Sequence, residues 1–515
     1  MNRRSHRMSE IFTSSLASGG EPEHNYVKPA HAFWARLARG SDGNPMNRRN
    51  FMRSAGWVAC SWPLLRNARA ASEDPWERAA SIARNVSVPM FPGRVFDVSA
   101  FGARGDGSVL NSVAIAAAIA ECAKQGGGRV LVPAGRFLTG AIHLRSNVEL
   151  HVAEGATLLF DTRPANYPIV FTRWEGMELM NYSPLIYAYG EKNIAITGKG
   201  TLDGQASAAH WWAWKGPWGG AVEYGWQQGM PDQRPARKKL FDMAEAGVPV
   251  KERVFGDGSL LRPPFIQPYR CENVLIEGVR VRNSPFWNIH PVLCKNVILR
   301  GVDIHGHGPN NDGVDPESVD HMLIEDCSFD SGDDCIAVNS GRNADGRRLA
   351  TPSQNILIRN CRMKEGHGGV VVGSQISGGA RWVFAENCHM DSPDLWYAIR
   401  FKNNALRGGL LEHFYYRDID VGQVSRAAIT CDFNYEEGAN GPFIPQLRNV
   451  VVERLRVKKA VRVLDSQGLP KAPVGDITLR DCEFDGVTEP SIVRHTRDVR
   501  LEKVRVNGRP VTSLR

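Results

Sequence analysis

Asn310-Asn311-Asp312, Gly332-Asp333-Asp334, Gly366-His367-Gly368 and Arg400-Phe401-Lys402 are four short polar islands within residues 303–402, and the intervals between them decide how the chain folds. Asp312 and Asp333 are 21 residues apart, Asp333 and His367 are 34 apart, and His367 and Arg400 are 33 apart. A chain that winds in coils of that length stacks successive islands about 4.8 Å from one another, the spacing of neighbouring strands. Three carboxylates, an imidazole and two cations then meet on one patch.

The winding can be tested in the flanking text. A unit recurs that opens on Asn or another polar residue, runs through three or four apolar or β-branched residues, and closes on a polar pair or Gly followed by Cys or Val. It reads Asn273-Val-Leu-Ile-Glu-Gly-Val279, Asn296-Val-Ile-Leu-Arg-Gly-Val302, His321-Met-Leu-Ile-Glu-Asp-Cys327 and Asn355-Ile-Leu-Ile-Arg-Asn-Cys361. From Asn273 the steps are 23, 25 and 34 residues. A short β-rich unit at this period, with no helix between copies, predicts an all-β chain wound as a right-handed parallel β-helix. Leucine-rich repeats share the period but need a regular leucine pattern that is absent here, and propeller blades are longer and built of hairpins.

Upstream, residues 96–107 read as a strand broken by glycine turns. Residues 110–124 have helical apolar spacing and stop at Gly126-Gly127-Gly128, which predicts a short N-terminal helix capping one end of the stack. Residues 71–92 read as a linker and 93–515 as the β-helix domain. The repeat lapses over about 205–262, where Trp211, Trp212, Trp214, Trp218 and Trp226 crowd together ahead of a basic run at 234–239. So long an unrepeated insertion suggests a loop wall with rings and cations for an acidic saccharide, although three of the five rings are expected only to pack the insertion.

The net charge of +8 invites a nucleic-acid reading. Residues 1–70, however, hold 11 Lys/Arg against 4 Asp/Glu, which leaves 52 against 51 in the remainder, so no nucleic-acid partner is expected. The excess sits in a leader: Arg48-Arg49, a modestly apolar run, and Ala68-Arg69-Ala70 before Ala71 have the form of a twin-arginine export signal over 46–70. The reading implies a periplasmic or secreted protein, with 1–45 an over-extended start. No membrane span follows. Cys327, Cys361, Cys388 and Cys482 occupy one slot of the repeat, so they are expected as small apolar core residues rather than disulfides.

In a strand, alternate side chains share a face, so Arg400 and Lys402 point together while Phe401 enters the core. Two cations on an exposed sheet suit a ligand that carries a carboxylate. Asp333 and Asp334 can both face the cleft only if Gly332 opens a turn or bulge. Crowded carboxylates repel, so at least one should keep its proton near neutral pH, as glycoside hydrolysis requires. Asp residues one coil apart would lie near the ~6.5–9.5 Å of inverting enzymes. Asp315 and Glu317 read as turn or supporting residues. His305-Gly306-His307 is set aside as a metal pair for want of a third donor, and neither metal nor cofactor is expected.

The four islands, in this order on a β-helix, resemble the polygalacturonases of glycoside hydrolase family 28. That family's motifs are Asn-Thr-Asp, Gly-Asp-Asp, Gly-His-Gly and Arg-Ile-Lys, and the start of the domain with its long insertion is most similar to the bacterial exo-acting branch. The resemblance implies inverting hydrolysis of α-1,4-linked galacturonate, with Asp333 as general acid, Asp312 and Asp334 activating water, and His367 tuning the acid. It further implies that Arg400, Lys402 and, less directly, Tyr435 bind the substrate, an acidic plant cell-wall polysaccharide. A monomer is expected. Asn311 stands where the family has Thr and Phe401 where it has Ile. Alternatives are a rhamnogalacturonan or xylogalacturonan hydrolase, a polysaccharide lyase, and a non-catalytic binding β-helix.

Overall fold

A computed structural model describes residues 74–217 and 224–514. The export signal and the extended start expected for 1–70 lie outside the described residues. Strands stack in parallel from residue 95 to residue 506, coil upon coil. One ladder aligns Val297, Met322, Ile356, Val383, Phe414 and Val450 in register. Another aligns Ile336, Val370, Ile399, Ile429 and Leu464. Each coil leaves its strand edges open until the next covers them, so the whole is a parallel β-helix with a continuous apolar interior.

The polar residue that opens each repeat has a physical reason. Asn193, Asn273, Asn296, His321, Asn355, Asn449 and Asp476 all have φ between 52° and 64°. Asn and Asp tolerate this left-handed conformation better than most residues. Their side chains also join neighbouring coils: Asn193 donates to Asn147 (3.0 Å), Asn273 to Asn193 (2.9 Å) and Asn296 to Asn273 (3.1 Å).

Helix α1 (Pro75–Asn85) replaces the linker expected over 71–92. In each repeat the middle residue of the apolar triple points outward, which creates a stripe of Leu275, Ile298, Leu323, Leu357, Phe384 and Tyr415. Ala79 and Ile82 of α1, with Val86 just past its end, cover it. Three consecutive apolar residues per strand therefore signalled a sheet covered on both faces. Helix α2 (Ser112–Lys124) buries Ile115, Ala118, Ile119 and Cys122 against the first coils, as an end cap.

Over the coils that carry the islands lies a separate layer. It comprises an antiparallel hairpin (Ile169–Trp174 with Met177–Tyr182), helix α3 (Arg234–Glu245) and helix α4 (Asn343–Leu349). Trp174, Leu179, Leu240, Ala244, Phe255 and Trp287 give it an apolar centre. Trp211 is buried against Tyr167 and Trp214, and the Trp212 indole donates to the Ser284 carbonyl (2.9 Å), so these insertion rings serve packing. Trp218 lies outside the described residues. No helix among the described residues is long and apolar enough to cross a membrane.

Candidate active site

The winding brings the islands together. Val314 bridges Ile336 on the next coil and the Gly313 amide donates to the Asp334 carbonyl (2.9 Å), which sets Asp312 in register with Asp334 one rung away. Gly332 makes the turn that lets adjacent aspartates share the cleft. A Cβ there would lie 2.5 Å from the Gly308 carbonyl oxygen and 2.8 Å from the His307 carbonyl carbon, so only glycine fits. Asp312, Asp333, His367, Arg400, Lys402 and Tyr435 line one cavity of about 460 Å³, and Asp334 is fully buried behind it.

Oxygens of Asp312, Asp333 and Asp334 all lie within 4.8 Å of one another. The separation of about 6.5–9.5 Å expected from one-coil spacing is therefore not what these oxygens show, because the turn at Gly332 folds the pair back toward Asp312. Burial, reinforced by the charges of Asp333 and Asp334, pushes the Asp312 carboxyl well above the usual carboxylate range. Its Oδ1 has no hydrogen-bond partner. Burial would raise Asp333 too, but the His367 imidazole, whose Nδ1 is 2.9 Å from Oδ1, and the Lys402 ammonium override it and hold the carboxyl below its ordinary value. Between these two, burial favours the proton on Asp312 and the neighbouring cations favour an ionised Asp333.

The cations differ from expectation as well. Phe401 enters the core, as strand alternation requires, against Phe414 and Tyr416. Arg400 and Lys402, however, are not on an open sheet: they are 9% and 7% exposed and form the cavity floor. Lys402 Nζ sits 2.5 Å from Asp334 Oδ2, and Arg400 Nη1 lies 3.5 Å from Asp334 Oδ1. Asp334 raises the Lys402 ammonium against the opposing effect of burial, so Lys402 stays charged. Both cations lie over the Tyr435 ring, at 5.6 and 5.3 Å.

Several lining residues carried no such sequence signal. Trp396 stacks on His367 (3.8 Å between ring centres, 20° between planes) and fixes the imidazole. Glu175, at the hairpin tip, is held down at about 2: burial would raise it, but Arg237, with Nη2 2.7 Å away, and Arg342 prevail. Lys215 reaches the Asn310 side chain (2.9 Å), and burial with the nearby Arg262 pushes it down to about 8. Half of the basic run faces this cavity through Arg234 and Arg237, whereas Lys238 pairs outside with Asp242. Asp315, read earlier as a turn or supporting residue, also lines the cavity; burial and Asp312 raise its carboxyl. Glu317 instead pairs with Arg173 (2.8 Å) and His290 (2.7 Å) inside the core.

The arrangement offers three clustered carboxyls of contrasting environment above a buried cationic floor. Residues 257–490 match the family described as Glycosyl hydrolases family 28. The chain is 44% identical to a hyperthermoactive exopolygalacturonase from Thermotoga maritima, over 85% of this chain and 97% of that one, with a TM-score of 0.82. A Vitis vinifera protein named "Probable polygalacturonase" is 28% identical over 74% of this chain and 72% of its own length. The exo-poly-alpha-D-galacturonosidase of Dickeya chrysanthemi is 28% identical over 67% of this chain and 58% of its own length.

Proposed function

This chain belongs to glycosyl hydrolases family 28 and is a glycoside hydrolase, and from that premise we propose that it cleaves α-1,4-galacturonosidic bonds of galacturonan from a chain end, with inversion. One observation carries the substrate reading: Arg400 and Lys402 form the floor of the same cavity into which Asp333 opens. A galacturonate carboxylate fits beside those cations, and its neighbouring glycosidic oxygen then falls to Asp333. In this reading the proton that burial keeps on Asp312 passes to Asp333, an oxygen of which lies within 4.8 Å, as substrate fills the cavity. Asp333 then delivers it to the glycosidic oxygen with His367 behind it. Asp312, whose raised carboxyl makes it the stronger base once ionised, takes the proton of the attacking water with Asp334 orienting it. The close-set acids do not argue for inversion by their spacing; that part rests on the family resemblance, and the anomer first released decides it.

End-wise action is supported by the added layer, whose hairpin and insertion line the cavity through Glu175, Lys215 and Arg237. Chromatography of the products from defined oligogalacturonides tests both points. Release of one short product from the outset is expected. A ladder of intermediate lengths would contradict end-wise cleavage, a product with new ultraviolet absorbance would indicate a lyase, and no cleavage of galacturonan would point to a decorated relative or to binding alone. We propose export through Arg48-Arg49 as well. The described cysteines are all buried and unpaired, which supports folding under reducing conditions first. A mature protein beginning at Ala71 is expected.

A further inference from the structure

On the outer face of the coils, away from the cavity floor, His305 and His307 project from one side of a single chain segment, two residues apart. The sequence offers them no third donor nearby, but the fold does: Asp330, one coil on, is in register with His305. Its two oxygens divide between the rings. Oδ2 is 3.2 Å from His305 Nδ1 and Oδ1 is 2.9 Å from His307 Nε2, with one donor atom from each of the three residues within 4.8 Å of the others. Four ligands at about 2.0–2.1 Å from a tetrahedral ion lie about 3.3 Å apart, so these spacings approach the edges of such a site.

The remaining nitrogen identifies the arrangement further. His307 Nδ1 is 2.8 Å from Glu365 Oε2, on a third coil. A neutral imidazole has only one N–H. Donated to Glu365, it leaves the Nε2 lone pair free to bind a cation beside the Asp330 oxygen. A carboxylate behind a histidine that faces a metal is the usual outer support of such ligands.

The geometry points to a divalent-cation site of the zinc class, with His305, His307 and Asp330 as ligands, Glu365 orienting His307, and a position left open to water. Lys364 Nζ, 3.8 Å from Asp330 Oδ2, is the cation it must displace. The ion would staple adjacent coils beside Gly332, which packs on the His307 backbone, and so brace the turn that presents Asp333.

Calorimetric titration of Zn²⁺ alone into the chelator-stripped full chain near neutral pH tests this, with thermal unfolding as a second reading. One ion per chain and a raised Tm are expected. Asp330→Asn, which keeps the side-chain shape, should abolish both, and Glu365→Gln should weaken binding by about tenfold. No saturable binding, or binding and Tm shift unchanged in Asp330→Asn, would overturn the assignment.

Discussion

Asp312 and Glu317 lie five residues apart on one coil, and both are buried, yet the molecule treats their charges in opposite ways. Glu317 is matched: Arg173 and His290 prevail over burial and hold its carboxyl below the ordinary value. Asp312 instead faces two further carboxylates and is pushed the other way. The first network joins the hairpin to the coils and has no opening for a ligand. The second leaves a buried acid unmatched beside a cavity, which costs stability and leaves it reactive. Unmatched charge, rather than charge as such, separates chemistry from architecture in this fold.

Substitutions on either side sharpen the contrast. Asp333→Asn removes the proton donor, and turnover should fall on the order of 10³-fold or more with unchanged circular dichroism; a rate near that of the parent would exclude Asp333 as the acid. Glu317→Ala leaves Arg173 buried without its partner, and urea unfolding should report a loss of about 3–5 kcal/mol. An unchanged midpoint would show that the core network contributes nothing. Lys402→Ala strips the cation from Asp334 and from the cavity floor, and kcat/KM should drop by about 2–3 kcal/mol in transition-state terms, chiefly through a higher KM for acidic oligomers. An unchanged KM would move carboxylate recognition elsewhere, toward Lys215 or Arg237.

The same contrast explains what the sequence made legible. The repeat, its opening asparagines and the apolar triples follow from local rules about φ, alternation and register, so the coil stacking and all four islands could be read from the text. The cover helix α1 was hinted at by Leu275, Leu323 and Leu357 in outward positions, a stripe visible only after the register is known. What stayed hidden depends on contacts across long separations. Glu175 reaches the cavity from a hairpin more than a hundred residues before Asp312, and Trp396 meets His367 by crossing a coil. Spacing alone could not reveal that Lys402 is bound to Asp334, nor that the turn at Gly332 closes the distance between the acids. The third side chain beside His305 and His307 stayed hidden for the same reason, since Asp330 becomes their neighbour only through winding.

Asp312→Asn, followed by thermal unfolding alongside turnover, tests the central claim most directly. A carboxyl with a raised folded pKa binds its proton in the native state after the unfolded chain has released its own. Stability is therefore lost as pH climbs above the ordinary carboxyl value of about 3.9 toward the folded one. The carboxamide escapes that loss. The account predicts a higher Tm than the parent near neutral pH, an advantage that fades as pH falls toward about 4, and turnover reduced at least ~10²-fold. A variant that is less stable at neutral pH while it still turns over substrate would contradict it.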